Sequence, residues 1–395
     1  MPETQDRQPI FVAGAGGYIG GRLVPRLLEA GYRVRALARS PEKLCNRRWG
    51  NHPNLEIVRG DILDYPSLLK GLIGCRAAFY LVHSMNPEVD DFSHTDRLAA
   101  MNMTKGASAA MLKQIIYLGG LGEEGSGLSH HLQSRSEVGR LLELGPVPVT
   151  ILRAAMIIGS GSAAFEILRY LVDRLPIILT PRWVDTPCQP IGVRNVLHYL
   201  IGCLECPETL GETFDIGQPE ILTYNQLMAI YAEEAGLSKR RVIRLPFLTP
   251  RLSSYWIHLL TPIPAALARP LTEGLKNPVI CHDNRIAELL PQDLFDCRKA
   301  IHLALERIKE HHVESSWTDS GPIHPAEWSV RGDPAWAGGK IFTDSRRVII
   351  DAQPAEIWPA VASIGGEVGW YYANWLWKLR GMMDRVIGGV GLSRG

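Results

Sequence analysis

A doubly wound α/β fold around a parallel sheet is predicted by three observations. An apolar strand-like run, Ile10 to Ala13, breaks into glycines and continues as a helix. Short apolar strands then alternate with helical patterns as far as Leu152. The chain also carries glycines at 14, 17 and 20, the spacing of a turn wrapped against a helix N-terminus. Strands that alternate with helices at this interval give parallel sheets covered on both faces.

Each element has its own warrant. Ile19, Leu23 and Leu27 recur at helical spacing, and Gly31 ends that helix. Pro25 removes one hydrogen bond but sits early enough to leave only a kink. Residues 32–38 read as a second strand, 55–58 as a third and 77–83 as a fourth. A helix over 91–112 precedes a fifth strand at 114–118, and a helix over 134–144 precedes a sixth at 149–152. Beyond Ala154 the pattern loosens into helices such as 224–235 and 296–308, parted by prolines. This predicts a small, mainly helical substrate lobe, chiefly from 155–310, over the carboxyl edge of the sheet. The apolar stretch 245–271 is broken by five prolines and belongs to that lobe. The predicted organisation is a first domain at 9–312, a polar linker at 313–339 and a third unit at 340–395. That unit offers a strand at 347–350, a helix at 355–363 and one aromatic helix. It is too short to bury a confident core, so it is expected to be the start of a truncated α+β domain.

Composition bounds the function. The chain has 395 residues and a formal net charge of +1, with no basic stripe interleaved with aromatics, so nucleic acid is not an expected partner. Residues 1–8 lack the apolar core of a signal peptide, and no run is long enough to span a bilayer. The seven cysteines are scattered, and the Cys203/Cys206 pair has no second pair or nearby histidine, so no metal is expected. A reduced, cytoplasmic protein is the expectation.

The glycine turn carries the chemistry. Strand, tight turn and helix N-terminus in that order aim backbone N–H groups and the helix dipole at an anion, here a dinucleotide pyrophosphate. Gly14, Gly17, Tyr18, Ile19 and Gly20 are the residues expected to hold it. The G-x-x-G-x-x-G register differs from G-x-G-x-x-G, which would place a glycine where Ile19 stands. The end of the second strand selects the cofactor. An acid there binds the ribose 2′-hydroxyl of NAD(H). No acid lies between Glu29 and Glu42, and the chain offers Arg39, Ser40 and Lys43 instead. A guanidinium grips a 2′-phosphate in a fork, so NADP(H) is preferred over NAD(H). The plain alternative for Arg39 is a solvated loop cation.

These motifs resemble the extended and atypical short-chain dehydrogenase/reductases. Within them the chain is similar to the group of NmrA-type regulators, triphenylmethane-type reductases and the NAD(P)-binding accessory subunit of respiratory complex I. The resemblance spans about residues 9–310, and rests on the three glycines, on Gly60-Asp61, and on Leu152-Arg153-Ala154 leading to Ile157-Ile158-Gly159. It implies that Asp61 meets adenine, with Ile62 also in the cofactor site, and that Leu81 to Ser84 pass the nicotinamide ribose. Residues 340–395 resemble the start of a START-like domain of unknown role, and the Trp370-to-Trp377 aromatics its core. Peripheral membrane contact or lipid handling is the lesser reading of that cluster.

The family's Tyr-x-x-x-Lys is absent, and its serine position falls on Gly119-Gly120. Alignment puts His131 at the tyrosine and Arg135 at the lysine. Three readings follow. His131 protonates a small apolar substrate, such as a quinone or enone, with Arg135 holding the cofactor ribose; an imidazole's ordinary pKa suits that task, although Arg135 cannot relay a proton. Alternatively the substrate takes its proton from water. Third, the fold binds NADP(H) without turnover, as a sensor or assembly element, and His131 is an ordinary surface histidine. His83 either lines the nicotinamide site or caps its strand. Arg153 is read as a structural partner, and Phe165 and Trp183 as apolar walls of the site.

Overall fold

The computed structural model describes residues 8–83, 92–122, 128–245, 249–320, 345–363 and 372–386. The chain divides into two compact units, 1–323 and 324–395.

The first unit runs β1 (Ile10–Ala13), α1 (Gly20–Glu29), β2 (Val34–Ala38), α2 (Pro41–Cys45), β3 (Leu55–Arg59), α3 (Tyr65–Leu72) and β4 (Ala77–Tyr80). It continues through α4 (Phe92–Ala109), β5 (Gln114–Gly120), α5 (His130–Glu143), β6 (Val149–Ala154), β7 (Ile157–Ile158), α6 (Ala163–Arg174) and β8 (Ile177–Pro181). Then come β9 (Pro187–Cys188), β10 (Ile191–Gly192), α7 (Val193–Gly202), β11 (Thr213–Ile216), β12 (Leu222–Thr223), α8 (Tyr224–Glu234) and β13 (Arg241–Leu245). Helices α9 (Pro250–Leu260), α10 (Ala265–Gly274), α11 (Arg285–Leu289) and α12 (Cys297–Lys309) complete it.

Seven strands form the main sheet in the order β11-β6-β5-β4-β1-β2-β3, all parallel. This is the Rossmann-like α/β fold that the alternation predicts. Alternate residues of each strand serve opposite cores. Ile10, Val12, Phe79, Ile116 and Leu152 join the cluster that includes Leu23 and Leu27 of α1. Phe11, Ala78, Tyr80, Ile115 and Ile151 join the cluster under α3, α4 and α5. The chain order reverses between β1 and β4, and that switch point opens a crevice at the strands' carboxyl ends.

The seventh strand, β11, comes from a region the sequence pattern assigns to the substrate lobe. Four residues are too short to show a period, and only pairing with β6 identifies them as sheet. Helix α5 starts at His130 rather than Ser134, because the Ser129 hydroxyl accepts from the Leu132 N–H and caps it there. That shift places His131 inside the first turn. The lobe over the sheet contains α6, α8, α9, α10 and α12, with β8 paired to β13. Phe165 is not a cavity wall: it is fully buried in the lobe core, its ring edge-on to Tyr231. The Trp183 side chain and Ser84 lie outside the described residues.

The start of the expected linker is part of this unit. Ser315 is buried, its hydroxyl donating to the Tyr18 carbonyl, and Asp319 pairs with Arg47 at 2.7 Å.

In the second unit the described residues form α13 (Pro354–Ala362) and α14 (Asn374–Val386). The strand expected at 347–350 does not form. Those residues have no ladder partner among the described residues, and Ile349 is 95% exposed. A lone extended segment leaves its N–H and C=O groups to water. Tyr372 and Trp375, expected to be core, are exposed too.

Candidate functional site

The glycine turn is as tight as steric limits allow. Gly14 has φ +88°, and a Cβ on it would lie 2.7 Å from the Leu81 carbonyl oxygen. A Cβ on Gly20 would lie 2.1 Å from the Gly14 oxygen. The Gly17 N–H donates to that same oxygen at 3.0 Å. Helix α1 therefore begins directly against the end of β1, with no acid in its first turn to compete with an anion. The Tyr18 hydroxyl is buried without a hydrogen-bond partner, and burial pushes its pKa up, so the phenol is neutral. A Cβ on Gly159 would meet that hydroxyl at 2.4 Å. These are the marks of a cradle shaped for backbone approach, and they fit a dinucleotide.

One cavity of about 800 Å³ runs from this turn into the lobe. It brings together the cofactor and catalytic candidates Gly14, Gly17, Tyr18, Ile19, Gly20, Arg39, Ser40, Asp61, Ile62, Leu81, His83, His131 and Arg135. At its outer end stand Arg39, Ser40 and Lys43. One Asp61 oxygen accepts from the Leu63 N–H at 3.0 Å, which fixes the turn after β3. An acid absent from the end of β2 is supplied from elsewhere, by Asp319. This residue also lines the cavity, accepts from the Ser316 N–H at 2.7 Å, and acts electrostatically on Lys43. No local pattern announces it, because it comes from the far end of the unit.

At the centre, the fold builds a hydrogen-bonded series of side chains. Asp96 is 2% exposed, and its Oδ2 lies 3.0 Å from His83 Nδ1. His83 Nε2 lies 3.1 Å from His131 Nδ1. The Ser134 hydroxyl donates to the same Asp96 oxygen at 3.1 Å. Helix geometry explains the convergence. Asp96 shares the inward face of α4 with Ala99, Ala100 and Met103, and His131, Ser134 and Arg135 share a face of α5. His131 is 9% exposed, so the surface-histidine reading is wrong. It fails because α5 turns this residue towards α4, while neighbouring His130 takes the solvent position. Asp96 and Ser134 were legible only as an acid and a hydroxyl on apolar helix faces. Arg135 donates to the Leu118 carbonyl at 2.6 Å, and its Nε has no partner. Arg153 pairs with buried Asp215 at 2.7 Å and ties β6 to β11.

With Asp96 ionised, His83 donates Nδ1–H to it, and neutral His83 can then only accept at Nε2. His131 must donate Nδ1–H there, which leaves its Nε2 as a base. One added proton turns that Nε2 into a donor. Burial depresses both imidazoles, His131 more strongly, with Arg135 also opposing a positive charge and Asp96 favouring it. Both are thus neutral in the folded protein at neutral pH. The unfolded chain takes up these protons below about pH 6.5. Stability therefore falls as pH drops through that value, by up to about 1.4 kcal/mol per pH unit per histidine. Urea midpoints between pH 7.5 and 5.5 check this: the slope should flatten in the His83→Gln/His131→Gln double variant.

Comparison with known proteins agrees with this geometry. Residues 14–162 match a family model described as NAD(P)H-binding. That stretch is an NAD(P)H-binding domain. Within it, similarity extends to cinnamoyl-CoA reductase 1 of Petunia hybrida, 29% identical over 119 residues, or 29% of this chain and 36% of that protein. The chloroplastic protein TIC 62 of Arabidopsis thaliana is 30% identical over 136 residues, 30% of this chain and 21% of its own. The chain thus spans about a third or less of the length of these curated relatives. The fold is shared with solved reductases and epimerases. The Citrobacter triphenylmethane reductase complexed with NADP(H) superposes with TM-score 0.59 at 19% identity, over 75% of this chain and 99% of that one. UDP-glucose 4-epimerase of Thermotoga maritima, solved with UDP-glucose, gives 0.59 at 16%, over 77% and 99%. Residues 336–395 match a family described as a protein of unknown function, DUF2867, and START-like character is not shown for them. Among the described residues, no helix is long and apolar enough to cross a membrane.

Proposed function

We propose that the chain is an NADP(H)-dependent reductase of an apolar carbonyl, enone or quinone acceptor, and that His131 delivers the proton. The observation that carries this reading is the hydrogen-bonded series Asp96–His83–His131, which ends in the cavity that Gly119 and Gly120 also line. Burying a carboxylate and two imidazoles costs stability, and titratable groups perturbed by burial and by one another cluster at functional sites.

Gly14 to Gly20 would hold the pyrophosphate, Asp61 and Ile62 the adenine, and Arg39, Ser40 and Lys43 the 2′-phosphate. Leu81, His83 and Arg135 would border the nicotinamide ribose. The bound nicotinamide supplies a hydride to the acceptor carbon. His131, once its Nε2 is protonated, would give that proton to the acceptor oxygen, which balances the hydride to give the reduced product. His131 is then neutral again, with its Nδ1–H still donated to His83 and the His83 Nδ1–H to Asp96, so no isolated charge is left on an imidazole in the buried site. Arg135 is held by Leu118 and keeps a permanent positive charge near the developing oxyanion.

Cofactor choice gives a direct measurement. Fluorescence titration of Arg39→Ala is expected to show NADPH binding weakened about 10- to 100-fold, the value of a charge-assisted hydrogen bond, with NADH little changed. Asp319→Asn, which releases Arg47 and Lys43, should strengthen NADPH relative to NADH. Equal affinities of the parent protein for both dinucleotides would remove the case for NADP(H).

A further inference from the structure

We infer that the substrate is an uncharged, lipid-like molecule: a reducible carbonyl head with a long aliphatic body that carries a second uncharged oxygen. This rests on the reductase reading, and narrows it to a chemical class.

The cavity is divided by chemistry. Its charged lining, Arg39, Lys43, Asp61 and Asp319, stands at the nucleotide end, with His83, His131 and Arg135 at the centre. The lobe half is walled by aliphatic groups, among them Ile167, Leu171 of α6, Ile178 of β8, Ile257 of α9 and Leu271 of α10. Among the described residues, none that lines that half is charged. At about 800 Å³ the cavity lies high in the range of small-molecule sites, roughly 300–1,000 Å³, and extends well past the turn that cradles a pyrophosphate. The lobe half, lined by residues of α6, β8, α9 and α10, is where a second ligand would lie beside the dinucleotide. A nucleotide sugar or a coenzyme A thioester would bring phosphates into an aliphatic chamber with no cation to meet them, at a cost of several kcal/mol. A neutral aliphatic body would be stabilised there by about 0.8 kcal/mol per buried methylene.

Among the described residues, two polar atoms of this wall are left unsatisfied. The Thr180 and Ser253 hydroxyl oxygens are buried without a hydrogen-bond partner, and both residues line the lobe half. An unpartnered buried hydroxyl is destabilising, so each would gain by rotating about its χ1 bond to meet an ester, ether or hydroxyl oxygen on the ligand. Leu179 and Trp256, 37% and 36% exposed, border the same half and mark an apolar entrance.

The test is calorimetric binding to the full chain in the presence of NADP⁺, which permits binding without reduction. Ethyl 3-oxododecanoate should bind at least about 100-fold tighter than ethyl acetoacetate, since half burial of eight methylenes already gives that factor. Thr180→Val and Ser253→Ala should weaken ethyl 3-oxododecanoate about 3- to 10-fold and leave 2-dodecanone unchanged. Leu271→Trp, which fills the chamber, should abolish the chain-length effect while NADP⁺ affinity stays the same. Equal binding of the two esters, or tighter binding of cinnamoyl-CoA or UDP-glucose, overturns the inference. Chain-length-dependent binding with no NADPH oxidation by any acceptor would instead defeat the reductase reading and leave the chamber assignment standing.

Discussion

Gly20→Ala is expected to abolish dinucleotide binding, with affinity for NADPH falling more than about 100-fold and stability by about 2–4 kcal/mol. A methyl group at this position would lie 2.1 Å from the Gly14 carbonyl oxygen and 2.8 Å from the Ala15 Cα. Both are backbone atoms, and no side-chain rotation can relieve the overlap. The end of β1 and the start of α1 must separate, which removes the cradle. Gly211→Ala makes the comparison fair. Gly211 has φ +75° but nothing within 4 Å of an added methyl, so that variant carries only the left-handed backbone cost of about 1 kcal/mol. Titration calorimetry and thermal melts on the two variants separate binding from folding. Wild-type NADPH affinity in Gly20→Ala would contradict the assignment of this turn.

Removal of the Asp96–His83–His131 series is the second large effect. His131→Gln and Asp96→Asn are each expected to lower kcat for an enone or carbonyl acceptor by about 10²- to 10⁴-fold, the range of a positioned general acid. The double variant should lose little more than either single one, because the groups act as one unit. Asp96 touches neither substrate nor cofactor in this reading, so its role is positional and its signature is the pH profile. In the parent protein, reduction requires the singly protonated series and slows as pH rises past its apparent pKa. In Asp96→Asn that limb should move or vanish, with NADPH affinity unchanged. An unaltered kcat in His131→Gln would point to water as the proton source.

Much of the fold is legible in the sequence. Strand and helix periods in residues 10–152 specify their own local structure, and apolar residues on both faces of each strand require a sheet covered twice. The glycine turn is legible for the same local reason: only residues without Cβ permit that approach. Short or unpartnered elements are not legible. β11 is sheet only because β6 lies beside it, and 347–350 has strand-like residues but no partner among the described residues.

The site divides along the same line. Sequence alone pointed to the glycines and Arg39 by their offsets from strand and helix ends, and the family resemblance pointed to Asp61 and the His131/Arg135 pair. It also showed that the usual tyrosine, lysine and serine are absent. Only the tertiary structure joined Asp96 to His83 and His131, brought Asp319 back to Lys43, and divided one cavity into a charged half and an aliphatic half. Local spacing fixes what neighbours along the chain can do. Which distant groups share a buried volume, and so lose water and acquire each other, is decided by packing.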